Sequence, residues 1–120
     1  MITELKENQI FIFGSNLAGK HVGGAALQAK EEFGAEEGVG EGLTGQCYAF
    51  PTLNEKNKKR TKQELEESIK KLWICCVSYF GEKEFLLTKV GCGIAGYKES
   101  YIKALFRGFP RNLIKPKDWQ

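Results

Sequence analysis

The residues of this chain that could do chemistry gather in glycine-bearing stretches. The first is Gly14-Ser-Asn-Leu-Ala-Gly-Lys-His-Val-Gly-Gly24, which holds the only histidine, His21. Histidine titrates near neutral pH, so His21 is a candidate general acid or base. The plainer reading is a loop histidine that touches solvent or a phosphate. The second stretch is Gly91-Cys-Gly-Ile-Ala-Gly-Tyr97. Its Cys92 stands between two glycines at the expected start of a helix, a position that lowers a thiol pKa. The plainer reading is a small packed residue, the usual fate of a free cysteine. Glu41 lies in a third glycine-rich stretch, 34–45, and is a carboxylate of acid/base type. A basic run, Lys56-Asn-Lys-Lys-Arg-Thr-Lys62, is either an anion-facing loop or a solvated lead-in to a helix.

The cysteines narrow the chemistry further. Cys75 and Cys76 are adjacent, so neither they nor Cys47 and Cys92 make the CxxC spacing of zinc sites or thioredoxin-like motifs. They read as reduced thiols in a cytoplasmic protein, with no metal, no cofactor and no disulfide expected. No apolar run approaches the ~18 residues of a membrane span. The first residues, Met1-Ile-Thr-Glu-Leu-Lys-Glu, carry charge where a secretory signal would be apolar. The formal charge of +3 is uneven. Residues 1–54 hold three basic and seven acidic residues, and residues 55–120 hold fifteen and eight, so the halves sum to −4 and +7. Much of the second half's excess sits in the run 56–62.

These residues must be held by regular elements. Gln9-Ile-Phe-Ile-Phe13 reads as a buried strand closed by Gly14. A helix is expected over 25–33, with Gly34 at its C-terminus. Gln46-Cys-Tyr-Ala-Phe50 reads as a second strand ended by Pro51. Thr61 and Glu64 have capping-box spacing, and Leu65, Ile69, Leu72, Cys76 and Phe80 then recur at helical intervals as one buried face. Gly81 stops that helix. Phe85 to Val90 is a third strand, 99–106 a third helix, and 112–115 a short last strand. The order βαβαβαβ over a single domain, 1–120, implies an α/β fold of three α/β/α layers, with a largely parallel or mixed central sheet covered on both faces.

In such a sheet ligands bind beyond the carboxyl ends of the strands. The stretches 14–24 and 91–97 both leave strand ends there and enter helices. Together they would present backbone N–H groups and two helix N-termini to an anion, an arrangement suited to a diphosphate. The GxGxxG pattern occurs twice. Gly40-Glu-Gly-Leu-Thr-Gly45 precedes a strand and is discarded, whereas Gly91-Cys-Gly-Ile-Ala-Gly96 follows one. A dinucleotide fold would want an acidic residue about 20 positions on and further strands after it. Asp118 is the one acidic residue near that distance, and no strand pattern follows it.

Phe11-Ile-Phe-Gly-Ser-Asn16, followed by Gly19-Lys-His-Val-Gly-Gly-Ala-Ala26, resembles the first binding loop of macrodomains. Val90-Gly-Cys-Gly-Ile-Ala-Gly-Tyr97 resembles their second, diphosphate-binding loop. The Gly-Cys-Gly form is closest to the branch that removes terminal ADP-ribose from proteins, and to short macro-like proteins of bacteria and phages. The resemblance runs from about Ile10 to the last strand, and its second loop is the more specific half. It implies a pocket for ADP-ribose or a related nucleotide. Asn16 would face the distal ribose, Ser15 would belong to the same ligand-binding stretch, and Gly23, Gly24 and Ala25 would border that ribose and the diphosphate. Gly91, Cys92, Gly93, Ile94, Ala95 and Gly96 would wrap the diphosphate, and Tyr97 would stack beside the ribose.

The chain departs from the macrodomain pattern in its carboxylates. It has no aspartate before Asp118, where macrodomains place one early to bind the adenine amino group; Glu7 and Asn8 are the substitutes on offer. Alanines (Ala25, Ala26 and Ala95) stand where two hydrolytic branches carry aspartates. The lysine that one branch uses falls among Lys56, Lys58 and Lys59. His21, Asn16 and Glu41 remain as catalytic candidates. Three classes of function follow. The first is a module that binds ADP-ribose or a derivative. The second is a hydrolase of an ADP-ribose linkage, acting on ADP-ribosylated protein or on ADP-ribose 1″-phosphate. The third is a nucleic-acid- or protein-binding domain that uses 56–62, a run without the interleaved aromatics of a single-strand platform. None involves a membrane.

Overall fold

The computed structural model describes residues 2–120. Its elements in order are β1 (Gln9–Asn16), α1 (Gly24–Glu32), β2 (Gly42–Thr44), β3 (Cys47–Leu53), α2 (Lys62–Ser78), β4 (Glu84–Leu87), α3 (Glu99–Leu105) and β5 (Leu113–Ile114), with a closing 3-10 turn at Lys117–Trp119. The five strands form one mixed sheet in the order β2-β3-β1-β4-β5. β3, β1, β4 and β5 run parallel, and β2 pairs antiparallel to β3. The fold is α/β in three layers.

The layers follow from connection handedness. The chain moves from β1 to β3 in one direction across the sheet, then from β3 to β4 and from β4 to β5 in the other. Right-handed crossovers therefore put α1 on one face and α2 with α3 on the opposite face. The core divides accordingly. On the α1 side, Phe11, Phe13, Cys47 and Ala49 of the sheet pack with Ala29 of α1. On the other side, Ile10, Ile12, Phe50 and Phe85 of the sheet pack with Leu65 and Leu72 of α2, Ile102 of α3 and Phe106 just after it, among others. Leu65 and Leu72 are fully buried, and each contributes roughly 1.5–3 kcal/mol of transfer free energy. α1 is short and spans only part of its face, which leaves β4 and β5 open on that side.

The capping box of α2 is present in both directions: the Thr61 hydroxyl accepts from the Glu64 amide, and the Glu64 carboxylate accepts from the Thr61 amide. Four expectations are corrected. β1 continues past Gly14 to Asn16, so Ser15 and Asn16 belong to a strand. The stretch 34–45 contains β2, a three-residue edge strand too short for periodicity to reveal. β3 runs through Pro51 to Leu53; β2 pairs only as far as Ala49, so the N–H that Pro51 lacks deprives no neighbouring strand. Phe80 is exposed rather than on the buried face, because α2 ends at Ser78 and the helical period ends with it.

Candidate functional site

β1 and β4 are adjacent and parallel, with Ile12 paired to Leu87. The stretches that leave them therefore emerge at the same edge of the sheet. The crossovers from β1 and β4 run in opposite directions, so this is the switch point where an open α/β sheet forms its crevice. Approach is close: a Cβ on Gly14 would stand 3.5 Å from the Gly91 nitrogen.

The polar side chains of the first loop are committed within the protein. The Ser15 hydroxyl is buried and donates to the Gly40 carbonyl. The Asn16 amide donates to the Lys20 carbonyl at 3.0 Å and its Oδ1 accepts the Lys20 N–H at 3.1 Å, which clips the turn shut. His21 is 1% exposed. Its ring packs edge-on against Phe13 with centroids 5.1 Å apart. Its Nε2 lies 2.9 Å from the Glu36 carbonyl, and its backbone N–H donates to the Glu37 carboxylate. Nδ1 is buried with no partner among the described residues. The ring thus faces the α1-side interior, and neither of its nitrogens reaches the loop surface where a ligand would lie.

The second loop is built differently. Gly96 N–H donates to the Gly93 carbonyl and Tyr97 N–H to the Gly91 carbonyl, closing two tight turns. The amides of Gly93, Ile94 and Ala95 donate to no acceptor among the described residues, and Ile94 is 98% exposed. Gly91 is required by the fold: its φ is +74°, and a Cβ would press within 3.0 Å of the Tyr97 ring. Tyr97 is buried; its single hydroxyl proton is donated to the Arg60 carbonyl, with the Thr52 carbonyl 3.2 Å away. It is a latch between this loop and the end of β3. Lys59 lies over the Tyr97 ring at 4.7 Å and donates to the Gly96 carbonyl. The basic run thereby reaches the loop. Cys92 is half-buried and packs on the core; burial, the largest influence, pushes its thiol up rather than down.

Two glycines remain that the fold does not explain. Gly23 and Gly93 have no left-handed φ, and a Cβ on either would meet nothing within 4 Å. Gly23 is the extended N-cap of α1. Among the described residues no side chain caps α1, and no acidic residue sits in its first turn, so its first N–H groups are free to take an anion. This helix end opens on a cleft of about 850 Å³ beside Gly24 and Ala25. Leu86 and Ile114 line its floor, on the part of the sheet α1 leaves open, and Lys89, Lys115 and Lys117 stand along its rim. Lys89 binds Asp118 at 2.6 Å and Glu99 at 3.5 Å. The two carboxylates hold the Lys89 ammonium above the usual lysine range, and Lys89 holds Asp118 below the usual carboxylate range.

The parallel pairing of β1 and β4 puts the start of α1 and the loop 91–97 at the same edge of the sheet; Gly24 and Ala25 line the cleft there, and the loop 91–97 lies outside its lining. The structure does not bring together the acid/base candidates. Glu41 pairs with Lys71 of α2 at 3.6 Å and lies near Tyr48 on the α2 side of the sheet. His21 lies on the α1 side. Glu7 and Asn8 precede β1, at the sheet edge opposite the loops. The sequence reading missed Thr88, Lys89 and 114–118 as cleft residues; the rule of strand carboxyl ends, applied to β4 and β5, could have found them. Against known proteins, no family model, curated protein or solved structure matches the chain.

Proposed function

We propose that this protein binds ADP-ribose or an ADP-ribose derivative at the carboxyl edge of its sheet. The observation that carries the reading is the uncapped N-terminus of α1 opening on the 850 Å³ cleft. A diphosphate would lie between that helix end and the free amides of 93–95, where backbone can approach because Gly23 and Gly93 have no side chain. The apolar floor offers room for the base-bearing half of the ligand. The macrodomain resemblance points to the same ligand and the same two loops. Burial of His21 and the placement of Glu41 on the other face favour binding over hydrolysis of an ADP-ribose linkage. Lys59 serves the second loop, which favours a small anion over a long nucleic acid. Free cysteines suit a cytoplasmic protein of this kind.

Calorimetry with ADP-ribose, NAD, AMP and ribose 5-phosphate tests the reading. ADP-ribose should bind more tightly than either half-molecule. Gly93→Glu should weaken it by about tenfold or more, roughly 1.4 kcal/mol, while thermal unfolding is unchanged because the new side chain enters open space. Absence of ADP-ribose binding would refute the proposal. Equal affinity in Gly93→Glu would remove the second loop from the site.

A further inference from the structure

We infer that the outer face of α2 is the contact between two copies of this chain, joined antiparallel about a two-fold axis. Trp73 (43%), Ile74 (60%), Val77 (43%) and Phe80 (52%) are exposed within one eight-residue span. Trp73, Ile74 and Val77 share one stripe of α2 at helical spacing, and Phe80 extends it just beyond the helix end. They present about 400 Å² of apolar side chain, within the ~300–600 Å² of the largest patch on a typical monomer, a size often functional. Beside the stripe lies a groove of about 320 Å³, lined by Ile69, Trp73, Leu105 and Phe109 with Lys70 and Arg107 at its lip. Trp73 is fixed as one wall by its indole N–H, which donates to the Gly108 carbonyl at 3.3 Å.

This surface complements itself. Phe80 lies beyond Trp73 toward the C-terminal end of α2, just past the last helical turn. A two-fold axis passing near Ile74 and Val77 sets these residues against their counterparts. It also carries each Phe80 toward the groove of the other copy, the reciprocal contact of an isologous dimer. Charges agree with the antiparallel sense. Lys70 precedes the stripe and Glu82 follows it, and neither has an ion-pair partner among the described residues. The two-fold brings Lys70 of one copy alongside Glu82 of the other. Two such patches with their polar rims reach the ~1,200 Å² at which specific interfaces begin. The inference is independent of the nucleotide reading, since the stripe lies away from the sheet edge.

Sedimentation over a wide concentration range tests it. The intact chain should move from 13.5 kDa toward twice that mass. The double variant Ile74→Glu, Val77→Glu changes only exposed positions, so it should keep its circular dichroism and thermal unfolding. Its dimer should weaken at least ~30-fold, the effect of losing an interface hot spot. Lys70→Glu should also weaken the dimer, and adding Glu82→Lys should restore it. A chain that stays monomeric at every concentration would overturn the inference and leave the stripe to a different protein. A dimer that survives Ile74→Glu, Val77→Glu would place the interface elsewhere, and failure of the Glu82→Lys rescue would overturn the antiparallel arrangement.

Discussion

At the scale of single residues, the structure separates chemistry that is available from chemistry that is buried. Burial pushes the Cys47 and Cys76 thiols up to about 12, so neither supplies a thiolate near neutral pH. Disulfide-exchange reagents should find these two silent in the folded protein and all four thiols reactive after denaturation. Rapid reaction of Cys47 or Cys76 under native conditions would contradict their packing. His21 is comparable. The sequence marks it by type, as the lone histidine in a ligand loop, but type carries no direction. The ring faces inward because it can cover Phe13 and bond the Glu36 carbonyl. His21→Ala should therefore cost about 2–4 kcal/mol of stability, from the cavity and the unpaired carbonyl. Urea unfolding measures this, and a variant as stable as the parent would show that the ring is free to turn outward.

At the scale of elements, legibility in the sequence tracked length and local signals. α2 could be read from Thr61, Glu64 and its apolar period because all three are local. Thr61→Ala should lower stability by about 1 kcal/mol, seen as a drop of several degrees in the unfolding midpoint. β2 could not be read, because three residues show no period and their pairing with β3 depends on a turn at Gly45. Tyr97 shows the same limit at the site. Its place after a glycine loop is plain in the sequence, but its partners, the carbonyls of Thr52 and Arg60, are some 40 residues away. Tyr97→Phe removes the donor that holds the Arg60 carbonyl, at a cost of about 1–2 kcal/mol. Its effect on ADP-ribose affinity should be smaller than that of Gly93→Glu. The reverse order, measured by calorimetry, would return Tyr97 to the ligand.

At the scale of the whole molecule, the topology converts a charge imbalance along the chain into one in space. Lys59 follows β3, Lys89 follows β4, and Lys115 and Lys117 follow β5. The parallel strands thus deliver lysines to the edge where the two loops lie, which is a field that draws an anion in and weakens with salt. Lys89 is the exception, since Asp118 and Glu99 already hold it. The linkage has a definite sign. Asp118 is held below its ordinary value of 3.8, so its contribution is complete above that pH and is lost as the pH falls through the folded-state value. Lys89 is held above 10.5, so its share persists until the pH rises through that higher value. The pair is intact between these limits, and because both groups are exposed it does little for global stability. Its effect is local: it ties the 3-10 turn to the end of β4 and occupies the ammonium that a diphosphate in the cleft would otherwise attract. Asp118→Asn should lower amide protection at 117–119 at neutral pH, as acid should in the parent, without altering the rest of the sheet. It should also strengthen ADP-ribose binding a few-fold at low salt, because it releases the Lys89 charge toward the cleft. That gain should fade as salt rises. Weaker binding in Asp118→Asn would mean that the carboxylate itself contacts the ligand, and that the cleft reads a donor on the base as well as the charge of the diphosphate.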